Sequence, residues 1–274
     1  MRLLARISIV LLLLGAGTGL LALQRGGYQQ DDEFGSARQA RLEGYENGEA
    51  RSEYSWSRLR YTAANSYGGG YGYGRWSSWS RDYPKADRQF LIALRRLTRI
   101  QARPTEQVVD LDSDEIFNYP WVYAVGVNTW AFTDEEAKRL RDYLLKGGFL
   151  MVDHFHGEDD WAHFMAGMSM VLPDAIVEDL PENDAIYHVL YSIDEKFQIP
   201  GEIYVNTGRT YEKDGYVPKW RAIRNEHGRI MVAICANMHL GDAWEWAEDP
   251  QYPEKFSGLA FRIVLNYITY AMTH

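Results

Sequence analysis

A turn rich in acidic and imidazole side chains follows one short apolar run of this chain. Phe149–Val152 is uncharged and preceded by two glycines, and Asp153, His154 and His156 come directly after it. A run of this kind is typical of a buried strand. In an open α/β sheet, ligands bind beyond the carboxyl ends of the strands. We therefore expect a functional site here, because a carboxylate and two imidazoles can exchange protons, hold a metal ion or anchor a polar ligand.

Two roles are open for this turn. If the strand continues, side-chain alternation places His154 and His156 on one face, where they could bind a divalent metal cofactor with Glu158 or Asp159 as the third ligand. Alternatively, these polar residues cap the next helix and bond to the backbone. Asp153, at the strand end, is the strongest candidate for a catalytic carboxylate, with His156 orienting it or binding the metal.

A second group of polar residues follows the late apolar run Ile230–Cys235. Asp242 is a second candidate for a general base, and His239, Trp244 and Glu245 are candidates for ligand binding. The structural alternative is that the aromatic side chain fills the core and the acidic ones cap a helix.

Five further charged residues are candidates for ligand binding: Asp110, Asp112, Lys85, Arg88 and Arg209. The two aspartates follow a short apolar run, and they either face the same crevice as Asp153 or cap an exposed turn. The lysine and the first arginine stand at the start of a predicted helix, whose N-terminus attracts anions. The second arginine could clamp a carboxylate or phosphate, with a surface ion pair as the alternative.

The spacing of apolar residues predicts strands that alternate with helices. The predicted strands are Val108–Leu111, Trp121–Gly126, Phe149–Val152, Ile176–Glu178 and Ile230–Cys235. The predicted helices are Ala86–Ile100, one that opens at a Thr133–Glu136 capping box, Trp161–Met170 and Phe256–Met272. This alternation indicates an α/β fold with a mainly parallel sheet and helices on both faces.

The first 23 residues have the composition of an export segment. Arg2 and Arg6 precede an uncharged run that ends at Leu23, which fits a cleaved signal peptide or an uncleaved signal anchor. Positive charge stays in the cytoplasm, so we expect a periplasmic protein, either anchored to the inner membrane or secreted. Residues 24–55 are predicted to be a polar linker, and residues 56–274 the folded domain.

Composition and motifs narrow the classes of function. The net charge of −9 argues against a nucleic-acid-binding surface, which needs a basic face. Cys235, the one cysteine, lies in an apolar run, so a buried and unreactive thiol is expected there. The sequence has no G-x-S-x-G or G-x-C-x-G elbow, no P-loop and no H-E-x-x-H motif.

Four segments closely resemble the bacterial family called domain of unknown function 4159: Tyr83–Phe90, Gly147–Gly157, Gly241–Trp246 and Tyr270–His274. The resemblance runs from about Tyr54 to the C-terminus. The family is grouped with the class I glutamine amidotransferase-like superfamily. This implies a flavodoxin-like three-layer α/β sandwich with a mainly parallel sheet, in an envelope or membrane-tethered protein.

The same resemblance bears on the site. In that superfamily the catalytic cysteine stands in a sharp turn after a central strand. The matching turn here, Asp153–Gly157, has no cysteine, so glutaminase activity is not expected. The family's pattern has two acidic residues before Phe-His-Gly. His154 stands at the second of these positions, which leaves Asp153 and His156 as the matching pair.

Three functions are consistent with these residues. The first is a non-catalytic ligand-binding or scaffold domain of the envelope, for carbohydrate or peptide, which the abundant Trp and Tyr suit. The second is a metal- or carboxylate-dependent hydrolase of an envelope carbohydrate or related polar substrate. The third is a partner-binding subunit of a membrane complex. The sequence favours the first, and convergence of Asp153, His156 and Asp242 in space would favour the second.

Overall fold

A computed structural model describes residues 52–64 and 78–274 of the chain. The predicted export segment 1–23, nearly all of the predicted linker and the Gly-rich stretch 66–74 lie outside the described residues. Tyr54, within the range predicted as linker, is buried and pairs with Ala102 in a parallel bridge. Core packing thus extends two residues before the predicted domain start.

A mixed sheet of seven strands forms the centre of the fold, in the order β2-β1-β3-β4-β7-β6-β5. The first five of these strands are mutually parallel, and the last two continue the sheet in antiparallel pairing. The strands are β1 Ser57–Arg60, β2 Gln107–Asp110, β3 Trp121–Val125, β4 Phe149–Asp153, β5 Val177–Asp179, β6 Lys219–Arg224 and β7 Ile230–Ala236. The prediction of an α/β fold with a mainly parallel sheet is confirmed.

Helices cover both faces of the sheet. They are α1 Lys85–Leu97, α2 Asp134–Leu145, α3 Gly157–Val171, α4 Ile203–Thr207, α5 Leu240–Glu245 and α6 Glu254–Thr273. Side chains alternate along β3, so Trp121 and Tyr123 join one apolar cluster with α1, α5 and α6, whereas Val122 and Ala124 join another with α2 and α3. Burial on both faces explains why β3, β4 and β7 are almost entirely apolar.

A buried ion pair ties α1 to the sheet. Arg58 of β1 and Asp87 of α1 are both fully buried and bonded to each other. The Arg58 guanidinium also lies 4.5 Å from the ring centre of Tyr123. Because two buried charges are tolerated only when paired, this contact fixes α1 against β1 and β3.

The parallel strands define two opposite edges of the sheet. At the carboxyl edge, where β1, β3, β4 and β7 end, the chain enters the loops that lead into helices. At the amino edge, where these strands begin, α1 and α6 end. Within the described ranges, the structure contains no helix long and apolar enough to cross a bilayer.

Candidate functional site

Asp153 is the buried anchor of the carboxyl edge. Its side chain is fully buried, and Oδ2 accepts hydrogen bonds from the Tyr123 hydroxyl at 3.0 Å and from the backbone N–H groups of Leu240 and Gly241 at 2.8 and 3.1 Å. Burial raises the pKa of this carboxyl to about 6, against the opposing charge of His239. Asp153 therefore holds the first turn of α5 against the end of β4.

His239 lies between two carboxylates. Its Nε2 is 2.8 Å from Oδ2 of Asp82, and its Nδ1 is 2.9 Å from Oδ2 of Asp242. Burial disfavours the cation, but the two carboxylates outweigh it and hold the pKa of His239 well above its usual value. Burial likewise opposes the charge of Asp242, yet the His239 cation lowers the pKa of that carboxyl overall. The imidazolium thus joins the loop before α1 to the turn that opens α5.

His154 and His156 are buried imidazoles with free nitrogens. Nδ1 of His154 and both ring nitrogens of His156 have no hydrogen-bond partner among the described residues. Burial, followed by the charge of His239, lowers the pKa of His154 well below its usual value and that of His156 to about 3. Both rings are therefore neutral near pH 7, with lone pairs available to a ligand.

The two imidazoles share their surroundings with a third ring and a carboxylate. The ring of His154 stacks on that of His239 with centres 3.5 Å apart, and its centre is 5.5 Å from that of His156. Nε2 of His156 lies 3.6 Å from Oε1 of Glu212, in the segment between α4 and β6. One potential ligand atom from each of His154, His156 and Glu212 lies within 4.8 Å of the others.

We call this set of side chains the carboxyl-edge cluster: Asp82, Asp153, His154, His156, Glu212, His239 and Asp242. It contains four carboxyl groups and one charged imidazole. Of the cations around it, Lys213 is bonded to Asp160 at 2.6 Å, and Arg81 is exposed. The cluster is therefore a negatively charged environment that favours a bound cation.

Several of the predicted site residues meet in this cluster. Asp153, His156 and Asp242, which were predicted as catalytic, are joined through His154 and His239. Glu245 lies at the rim, where its carboxylate comes within 4.8 Å of those of Asp82 and Asp242. Lys85 is 3.7 Å from Glu245, so it too stands at the rim.

Other predicted residues lie elsewhere. Asp110 pairs with Arg60 and Asp112 is exposed, because β2 is an edge strand separated from β4 by β1 and β3. Arg88 pairs with Glu106.

Two further candidates for ligand binding are also placed outside the cluster. Trp244 is fully buried among Trp56, Phe90 and Tyr123, so it is a core residue rather than a ligand contact. Arg209 is exposed after α4 and lies over the ring of Tyr211.

The carboxylate beside the two imidazoles differs from the predicted third ligand, Glu158 or Asp159. Glu158 is exposed in the first turn of α3 and is absent from the described groups of close ligand atoms, where Glu212 takes its place. Helix α3 begins at Gly157, so the turn directs the Glu158 side chain to solvent. Asp82, which bonds His239, was not among the predicted site residues. Spacing along the chain gives no signal for Glu212, which meets the imidazoles only through the tertiary fold.

Comparison with known proteins identifies the family. A comparison with curated proteins gave no match. A family model described as Domain of unknown function (DUF4159) matches residues 67–272, which is about three quarters of the chain and includes every residue of the carboxyl-edge cluster. The chain therefore belongs to the DUF4159 family.

Proposed function

We propose that this protein holds a divalent transition-metal ion between His154, His156 and Glu212 and uses it to hydrolyse a polar substrate. The observation that carries this proposal is the group of two buried, neutral imidazoles and one carboxylate whose ligand atoms lie within 4.8 Å of one another. Buried polar nitrogens are normally hydrogen-bonded. The unpartnered nitrogens of the two histidines call for a ligand of another kind, and a metal ion would bind the lone pair of one nitrogen in each ring.

The spacing fits a metal centre. Zinc binds imidazole nitrogen and carboxylate oxygen at about 2.0–2.2 Å in tetrahedral geometry, which separates neighbouring ligand atoms by roughly 3.4 Å. His156 Nε2 and Glu212 Oε1 are 3.6 Å apart. Two histidines and one carboxylate also suit ferrous iron, so zinc is the first expectation and iron the alternative.

Three protein ligands leave a coordination position open, as in catalytic zinc sites. A divalent ion there would polarise a substrate oxygen and lower the pKa of water. Glu212 is 30% exposed, which gives the site contact with solvent. His239 and Asp153 act as positioning residues, because the groups that bond them hold the β4–α3 turn and the start of α5 together.

A finer classification of the fold belongs to the same proposal. The five parallel strands follow the order β2-β1-β3-β4-β7, which corresponds to the flavodoxin-like order 2-1-3-4-5. His154 has a φ of 59° directly after the central strand β4. A strained residue in a sharp strand-to-helix turn is the geometry of a nucleophile elbow. These features support a three-layer sandwich of the class I glutamine amidotransferase type, in which a metal-binding histidine occupies the position of the elbow.

A metal-binding domain without turnover is the second candidate function. It is favoured by the depth of the site, since His154 and His156 are only 7% and 4% exposed. In that case the bound ion would hold a carbohydrate or peptide ligand, or present a surface to a partner. The envelope location and the membrane tether complete the proposal, and both rest on the composition of residues 1–23.

The test is metal analysis of the full chain by plasma mass spectrometry, together with His156→Ala, Glu212→Gln and Glu158→Gln. We expect a stoichiometric divalent metal in the wild type and in Glu158→Gln, because Glu158 is exposed and serves as the matched control. The metal should be lost from His156→Ala and strongly reduced in Glu212→Gln. Retention of metal in both of these variants would refute the assignment.

Turnover is then measured on chromogenic ester, phosphoester and glycoside substrates with metal-loaded protein. Hydrolysis that disappears with a chelator and in Glu212→Gln supports the hydrolase. A stoichiometric metal with no hydrolysis of any class supports the binding domain instead.

A further inference from the structure

A groove of about 610 Å³ opens at the amino edge of the sheet, on the far side of the domain from the carboxyl-edge cluster. The end of α1, the segment after it, a loop before α4 and the last turns of α6 line it, through Arg96, Leu97, Arg99, Ile100, Leu190 and Thr269. Leu97 and Leu190 are 52% and 45% exposed. We call this the amino-edge groove.

Arg96 and Arg99 line the groove, and Arg95 precedes Arg96 in the last turn of α1; all three are exposed. None of them forms an ion pair among the described residues, whereas Arg58, Arg60, Arg88, Arg139, Arg221 and Arg224 each do. Three such arginines within five residues form a local concentration of positive charge on a protein with a net charge of −9. Exposed leucines beside unpaired arginines form a surface that is both apolar and cationic, and that combination suits the headgroup region of a bilayer.

The groove lies beside the point where the chain enters the described domain. The described domain begins at Ser52, and Glu53 both lines the groove and pairs with Gln101 through its backbone and side chain. The predicted anchor ends at Leu23, so a short linker separates it from this point. A tether of this length keeps the groove at a high effective concentration near the membrane surface.

We propose that the amino-edge groove, with Arg95, Arg96 and Arg99, is the face by which this domain lies against a bilayer containing anionic phospholipids. The leucines contact the headgroup boundary and the arginines pair with lipid phosphates. Because the rest of the protein is acidic and repelled by such a surface, this face also fixes the orientation. The carboxyl-edge cluster then points away from the membrane. The inference rests on the proposed membrane tether and not on metal binding.

The experiment uses the full chain with a polarity-sensitive fluorophore on Leu190→Cys. The native Cys235 is fully buried and burial raises the pKa of its thiol, so it is not labelled. Val217→Cys is the matched control, because Val217 is 58% exposed and lies at the opposite, carboxyl edge of the sheet. It stands just before β6, whose first residue pairs with the last residue of β7. The protein is inserted into vesicles of phosphatidylcholine alone, or of phosphatidylcholine and phosphatidylglycerol in equal parts.

We expect a blue shift of the probe at position 190 in the anionic vesicles only, and no shift at position 217 in either. High salt should reverse it, because salt screens exposed charges. Each arginine near an anionic surface strengthens association roughly fivefold. Replacing all three arginines with glutamine should therefore lower the docked-to-undocked ratio by about two orders of magnitude.

Three results would overturn the proposal. One is an equal shift in both kinds of vesicle, which would make the arginines irrelevant. Another is a shift that survives the triple substitution while near-ultraviolet circular dichroism shows an intact fold. The last is a shift without lipid that grows with protein concentration, which would show that a second copy of the chain covers the groove. Metal content is unaffected in every case, so a failure here is distinguishable from a failure of the proposed function.

Discussion

Three imidazoles meet at one end of the sheet, yet their surroundings give them opposite charge states. His239 bonds Asp82, forms an ion pair with Asp242 and is held as a cation. His154 and His156, in contrast, are buried without an anion in hydrogen-bonding contact and stay neutral. Neutral imidazoles bind metals and imidazolium does not. The division of roles among chemically identical side chains thus follows from which carboxylates the fold places beside each ring.

At the residue scale, the carboxyl group of Glu245 predicts how the free energy of unfolding depends on pH. Burial, and then the charge of Asp82, raises the pKa of its carboxyl from 4.5 to about 7. Between these values the folded protein keeps a proton that the unfolded chain has lost, so stability contributed by this group falls as pH rises. Glu245→Gln removes the titration. We expect the free energy of unfolding of the wild type, relative to the variant, to decrease from about pH 4.5 to 7 and then level off.

The measurement is denaturant unfolding across this pH range in the presence of a chelator, which separates proton linkage from metal linkage. Glu248→Gln, an exposed neighbour, is the control, and its curve should run parallel to that of the wild type. Parallel curves for Glu245→Gln as well would contradict the prediction.

At the scale of elements, the first helix after β3 shows how local sequence signals set boundaries. Thr133 accepts a hydrogen bond from the backbone N–H of Glu136, whose carboxylate accepts the N–H of Thr133, so the predicted capping box is present at α2. Loss of an N-cap side chain costs about 1 kcal/mol. We expect Thr133→Ala to lower the free energy of unfolding by about that amount in equilibrium denaturation.

Glu135→Ala is the control for this cap. Glu135 is exposed in the same turn, and its side chain has no hydrogen bond within the described part of the chain. Its replacement should change stability by no more than about 0.5 kcal/mol. A loss in Glu135→Ala equal to that in Thr133→Ala would contradict the prediction, because Glu135 takes no part in the cap.

The strands β2, β3, β4, β5 and β7 and the helices α1, α2, α3 and α6 were predicted, whereas β1, β6, α4 and α5 were not. The strands β2, β3, β4 and β7 carry apolar runs, and α1, α2 and α6 show helical spacing. In contrast, β1 reads Ser-Arg-Leu-Arg, and nothing local indicates that Arg58 is buried by an ion pair with Asp87. The strand β6 alternates polar and apolar residues over a short length and needs β7 as its partner. Tertiary pairing determines these strands.

The turn after β4 shows that sequence-based prediction was likewise incomplete at the site. Alternation predicted His154 and His156 on one face of a continuing strand, but β4 ends at Asp153 and His154 adopts a φ of 59°. The rings still approach each other because the chain turns sharply into α3. The sequence located the correct segment, whereas the geometry and the contributions of Asp82 and Glu212 depend on loops from distant parts of the chain.

At the scale of the whole molecule, binding of the proposed metal ion is linked to folding, because separate loops supply its ligands. The ligands come from the β4–α3 turn and from the segment before β6, and His239 links the same cluster to α5 and to the loop before α1. The unfolded chain does not hold these groups together, so binding of a metal to the native state adds to the free energy of unfolding.

We therefore expect zinc to raise the melting temperature of the metal-stripped wild type. At a free metal concentration of about 100 times Kd, the added stability is about 2.7 kcal/mol, which corresponds to roughly 5–10 °C for a domain of this size. Differential scanning calorimetry measures the shift. Glu158→Gln should show the same rise and His156→Ala none. A rise in His156→Ala equal to that of the wild type would move the metal away from the two neutral imidazoles, towards Asp82, Asp242 and Glu245, whose carboxylates also converge.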